Sequence, residues 1–187
     1  MQAHSSTLRN LVLPNKSRRG NRHVLCLVSA AVLAVLFAAT AFIPAVKTVS
    51  ISNAKSAGSR FYSKQALSGF CISYTHSVNK GRVHDYYSCT SDNELVVDAT
   101  SFVSYGAGIP EASETSGAVF SLNEDEYKIS GLNRRIPNLL MAVGVIAEHS
   151  ITIGNREFFL KDFFAPQTSV LIKVKKVPLL EYAVHKL

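Results

Sequence analysis

From Val24 to Ile43 the chain is apolar without a break, VLCLVSAAVLAVLFAATAFI, with no charge, no Gly, no Pro and nothing more polar than Ser29 and Thr40. As a helix rising about 1.5 Å per residue, this run is roughly 30 Å long, which matches the hydrocarbon core of a bilayer. The pattern predicts a transmembrane helix over residues 23–44.

Beyond Pro44 the continuous run gives way to short stretches of period two, beginning with Val46, Thr48 and Ser50 set against Lys47, Val49 and Ile51. Alternation of this kind predicts strands. It recurs at 60–63, 70–77, 83–89, 95–105, 118–122, 127–129, 139–147, 150–153, 157–160, 169–177 and 179–184. Turn formers separate these stretches: Asn79-Lys80-Gly81, Ser91-Asp92-Asn93, the run from Gly106 to Pro110, Gly131 and Gly154-Asn155. The expected fold is mostly β, an antiparallel β-sandwich over residues 45–187, with jelly-roll connectivity among the arrangements of that class.

Charge changes the picture by its distribution. The net charge is +7, yet all 13 acidic residues lie at or after Asp85, so the basic excess belongs to the first part of the chain. Residues 1–22 carry Arg9, Lys16, Arg18, Arg19 and Arg22 without an acid, and lack the apolar content to fold alone. They are expected to be a disordered basic tail. Positive charge beside a spanning helix is retained on the cytoplasmic side. Four of those five charges lie close before Val24, and Lys47 alone is as near the other end. This gives a type II orientation, with the sandwich outside the cytoplasm. Lys16, Arg18, Arg19 and Arg22 also form a cluster suited to anionic head groups, beside the plainer role of setting topology.

Two other readings of the apolar run compete with this one. Ala39-Thr40-Ala41 has the small-x-small form of a cleavage site after Ala41, which would release the body. Against this, the run is longer than the apolar region of a signal peptide. An acid-free, Arg- and Ser-containing head is also a feature of organelle transit peptides, but Pro14 and Gly20 break its amphipathic pattern. Cys26, near the cytoplasmic end of the run, is either an S-palmitoylation site or a buried, inert thiol.

Candidate chemistry in the body centres on one hairpin. With Asn79-Lys80-Gly81 as a three-residue loop, Cys71 faces Cys89, and facing residues of an antiparallel pair lie within disulfide reach. A disulfide is expected, because the body is placed outside the cytosol. The same register sets His76 opposite His84, a pair read either as a pH sensor or as two ordinary imidazoles. Two histidines are too few for a structural zinc site.

No P-loop, G-x-S-x-G, HExxH, CxxC or G-x-G-x-x-G occurs, and no cofactor or metal is implied. The run Glu124-Asp125-Glu126 reads as a solvated turn. Asn15-Lys16-Ser17 is the one glycosylation sequon, and a type II topology leaves it unused. There is no basic stripe interleaved with aromatics, so nucleic acid is not an expected partner. The sequence points to a single-pass membrane protein acting by binding, on a cell, organelle or virion surface, with the bilayer and a protein partner or second copy as its contacts. A shed receptor ligand and a membrane-tethered hydrolase are the rival readings.

Overall fold

A computed structural model describes residues 17–56, 59–104, 116–123 and 125–187, with side chains from residue 21 onward. The expected turn at Gly106 to Pro110, Tyr105, Lys16, the sequon residue Asn15 and Glu124 lie outside these residues. The chain divides into two units after Phe42.

The first unit is one helix, α1 (Ser17–Phe42). Ala and Leu favour the helix, and its lack of Gly and Pro after Gly20 leaves the hydrogen-bond ladder unbroken. The two hydroxyls of its apolar run turn back on it: Ser29 donates to the Cys26 carbonyl at 3.0 Å and Thr40 to that of Phe37 at 2.8 Å. Asn21–Phe42 is long and apolar enough to cross a membrane, and none of it is buried. The helix begins earlier than expected. Ser17 to Arg22, assigned to an unstructured tail, is helical, so Arg18, Arg19 and Arg22 belong to its first turns.

The second unit is mostly β, in two antiparallel sheets. Its strands are β1 (Pro44–Asn53), β2 (Arg60–Ser63), β3 (Phe70–Thr75), β4 (Arg82–Cys89), β5 (Leu95–Phe102), β6 (Val119–Asn123), β7 (Glu126–Ile136), β8 (Leu139–Ala142), β9 (Ser150–Ile153), β10 (Arg156–Phe159) and β11 (Ser169–Pro178). A four-stranded sheet has the order β2-β1-β11-β8, and a seven-stranded sheet the order β10-β9-β3-β4-β5-β7-β6. Consecutive strands β3, β4 and β5 are neighbours and form a meander at the centre of this sheet, with β9 beside β3 and β7 beside β5 out of chain order. The alternation seen in the sequence sends Val49, Ile51, Val170, Ile172 and Val174 of the small sheet against Phe70, Ile72, Tyr87, Leu95, Val97, Ile151 and Ile153 of the large one. That shared core makes a sandwich. A second cluster of Val83, Phe102 and Ile129 lies farther along the large sheet.

Three stretches depart from expectation. Leu179–Val184 is not a strand but a short helix, α2. Pro178 ends the ladder of β11, and Leu, Glu and Ala are better helix than strand formers. The strand expected at 139–147 stops at Ala142, after which Val143 pairs with the 167–168 backbone and the Gly144 amide donates to His149 Nδ1 at 3.1 Å. Gly131, read as a turn, lies inside the long strand β7. There it takes φ +76° and meets the Gly117 carbonyl so closely that a Cβ would lie 3.0 Å from it, a bulge that only glycine accommodates without strain.

Candidate functional site

The β3–β4 hairpin carries every candidate residue of the body, and its register differs from the expected one by three positions. Cys71 pairs with Tyr86, Ser73 with His84 and Thr75 with Arg82. The cause is the turn. Six residues, 76–81, connect the strands, because the His76 amide donates to the Gly81 carbonyl at 2.8 Å and the Lys80 amide to the His76 carbonyl at 3.1 Å. The imidazole completes it: Nδ1 of His76 accepts from the amides of Val78 and Asn79 at 3.3 and 3.4 Å. Asn79 in turn accepts from the Gly81 amide and donates to the Ser104 carbonyl. The left-handed residue is Lys80, φ 60°, not Gly81. Gly81 serves a close approach instead, since a Cβ there would lie 2.6 Å from the Val103 side chain.

An odd shift in register moves residues to opposite faces of a sheet. Cys71 lies on the outer face, its Sγ 3.7 Å from Ser73 Oγ, while Cys89 packs toward the core with its Sγ 3.7 Å from the Ala66 carbonyl. Both thiols are free, so the expected disulfide is not formed. Burial raises both thiol pKa values, partly offset at Cys71 by the bond with Ser73 and at Cys89 by Lys47. A thiol held protonated in this way is a poor nucleophile. The expected His76–His84 pairing is likewise absent: His76 is buried in the turn, and His84 pairs with Ser73.

What the true register assembles is a polar row across the outer face of the large sheet. Ser73 Oγ and His84 Nδ1 share a 2.7 Å hydrogen bond. On one side of them the Arg82 guanidinium donates to Ser150 Oγ at 2.9 Å and to Glu157 at 3.4 Å, and the Ser150 hydroxyl donates to the same carboxylate at 2.5 Å. On the other side Ser101 donates to Glu126 at 2.7 Å, and Lys128 lies over the Tyr86 ring at 4.8 Å. Ser73, Ser101 and Ser150 are each at most 3 % exposed, so their hydroxyls are covered by the longer side chains they bond. The row joins β10, β9, β3, β4, β5 and β7 by side chains as well as by backbone. Its outward chemistry is that of Arg82, His84, Tyr86, Lys128 and Glu157.

The inner face holds a carboxylate that the sequence did not reveal. Asp85, paired with Ile72, accepts from the Thr100 hydroxyl at 2.7 Å. Burial raises its pKa, against the lowering effects of Thr100, Arg134 and His84. Its charge in turn helps burial to push Tyr74 up to about 12 and Tyr87 upward. The alternation of Val83, Asp85 and Tyr87 is the signal that would have placed Asp85 inside. Among the described residues, no group of three or more His, Cys, Asp or Glu is arranged to hold a metal ion.

Arg22 is exposed on α1. Lys16 lies outside the described residues, so the basic cluster is placed only as to Arg18, Arg19 and Arg22 in the helix.

Residues 70–160 match the family model of a domain of unknown function, DUF1850. No curated protein and no solved structure gives a significant match. The matched segment runs from the first residue of β3 to just past β10. It contains the whole seven-stranded sheet with its polar row, together with β8, and leaves out β1, β2 and β11.

Proposed function

We propose that this chain is a single-pass membrane protein of type II orientation whose β-sandwich acts outside the cytoplasm as a structural or binding module, through a protein partner or a second copy. The observation that carries this reading is the unburied apolar helix Asn21–Phe42, followed after the single residue Ile43 by the first strand of the sandwich. Arg18, Arg19 and Arg22 at its start, with no acid before Asp85, favour retention of that end in the cytoplasm. A protein partner is favoured by β6, where Val119 and Leu122 are 61 % and 54 % exposed at the edge of the large sheet.

The Ser73–His84 bond invites a hydrolytic reading, but Ser73 is 3 % exposed and a substrate carbonyl has no path to its oxygen. The bond acts as a lock between β3 and β4. Cleavage after Ala41 would release the sandwich as a ligand, and that reading requires a processed chain in the medium.

Protease treatment of sealed membranes, with tags at both termini, tests the proposal. In vesicles with the cytoplasmic face outward, the N-terminal tag is lost and the sandwich is protected until detergent is added. Digestion of the sandwich in intact vesicles overturns the orientation, and recovery of a chain beginning at Phe42 overturns the anchor.

A further inference from the structure

Helix α2 (Leu179–Val184) is amphipathic in the inverted sense. A helix on a water-exposed surface turns its apolar stripe inward and its charges outward. Here the polar groups turn inward. The buried Tyr62 hydroxyl donates to Glu181, and Arg60 pairs with the same carboxylate at 3.3 Å. Tyr182 packs toward Val46, Tyr62 and Val177. The outward positions are apolar: Leu179, Leu180 and Val184 are 48 %, 42 % and 68 % exposed, and Ala183 between them is exposed as well. Leu180, Ala183 and Val184 share one face by their spacing of three and four.

The place of this helix in the fold is set by the strand pairing that precedes it. Pro44 begins β1 and pairs with Pro178, the residue before α2. One residue, Ile43, separates Pro44 from the end of the apolar helix, and two residue steps span at most about 7 Å. The end of the sandwich that carries α2 is therefore the end at which the chain enters the sandwich from the apolar helix. Lysines surround it: Lys176 and Lys186 are exposed, Lys47 donates to the carbonyls of Thr90 and Ser91, and Lys64 lies over the Tyr182 ring. The acids of the adjoining turn, Asp92 and Glu94, are paired with Arg135.

We infer that the outer face of α2, with Leu179, Leu180 and Val184, inserts into the lipid interface, and that the flanking lysines rest among anionic head groups. The inference rests on the anchored reading above and adds to it a second, reversible lipid contact made by the sandwich itself. Interfacial helices bury their apolar face about 5–10 Å into the head-group and acyl boundary.

The chain has no Trp, so a single introduced Trp reports on one place. Full-length Leu180→Trp is reconstituted into vesicles of phosphatidylcholine and phosphatidylglycerol, with and without bromine on the acyl chains. The comparison is Ile146→Trp, whose position is 73 % exposed but follows β8, which pairs with the opposite end of β11 from Pro178. The expected result is a blue-shifted emission and about twofold quenching by brominated lipid for Leu180→Trp, and neither for Ile146→Trp. Replacing the anionic lipid by neutral lipid reduces the quenching. If the chain floats with the vesicles and Leu180→Trp is not quenched, the inference fails and the anchor stands. A blue shift without quenching overturns it in favour of a second copy covering α2. A chain that does not float with the vesicles overturns the anchored reading itself.

Discussion

Replacing Tyr62 by Phe isolates the contact that holds α2 to the sandwich. Tyr62 is fully buried in β2, and its hydroxyl donates to Glu181. The substitution removes one oxygen and leaves the ring, so the packing with Val46 and Val177 is kept. A hydrogen bond to a charged acceptor contributes about 1.5–3 kcal/mol. Glu181 keeps 28 % of its side chain in solvent and retains Arg60, which argues for the low end, about 1.5 kcal/mol. For a unit of this size that lowers Tm by about 3–6 °C. The loss concentrates at the C-terminus, where the Leu187 amide donates to the Tyr62 carbonyl and the His185 amide to Glu181. Both amides are expected to exchange faster with deuterium, while those of β3 and β4 do not change. Alkali gives a second signature. Burial, followed by Glu181, raises the Tyr62 pKa to about 12, above the value of 10 in an unfolded chain. The folded state therefore holds a proton that the unfolded state gives up, and stability is lost as pH rises from 10 to 12. Tyr62→Phe flattens that loss. The measurements are thermal unfolding of the full chain in detergent micelles and hydrogen exchange read by mass spectrometry. An unchanged Tm with unchanged exchange at Leu187 would refute the assignment of Tyr62 and Glu181 as the clasp.

Asp85→Asn keeps an acceptor for Thr100 and removes a buried charge. Because the folded pKa of Asp85 is raised, its ionisation costs stability at pH values above that of a free carboxylate, and nothing when the group is protonated in both states. Denaturant unfolding should therefore show Asp85→Asn more stable than the parent chain at pH 7 and equal to it at pH 3; an equal gain at both values would show that charge is not the cause. Thiol titration of the chain unfolded without reductant should find all of Cys26, Cys71 and Cys89 reactive, and a mass unchanged by reduction. Recovery of only Cys26 would restore the bond between the other two.

Strand positions were legible because one buried face imposes alternation, as in Val170, Ile172 and Val174 against Leu171, Lys173 and Lys175. Register was not, since it depends on how the turn closes. A three-residue loop ending in Gly81 is the ordinary reading of Asn-Lys-Gly, and only the His76 side chain, taking two backbone amides on Nδ1, lengthens it to six. That one side chain decides the site: it parts Cys71 from Cys89 and joins Ser73 to His84. The helical end of the chain is hidden in the sequence for a different reason. Leu179 to Val184 is too short for periodicity to distinguish strand from helix, and its apolar residues face away from the core that a strand reading supposes.

The pairing of β1 with β11 sets an order on events during synthesis. Val49 finds its second partner only when Val174 has been made, and Phe70, Ile72 and Ile151 have their full apolar cover only then. Contacts so distant along the chain are slow to form, since the closure entropy of the intervening loop comes before any gain. The nascent large sheet must therefore wait with an open apolar face, and loss of the last twenty residues would strand it in that state. Docking of β11 against β1 is thus the step that closes the core.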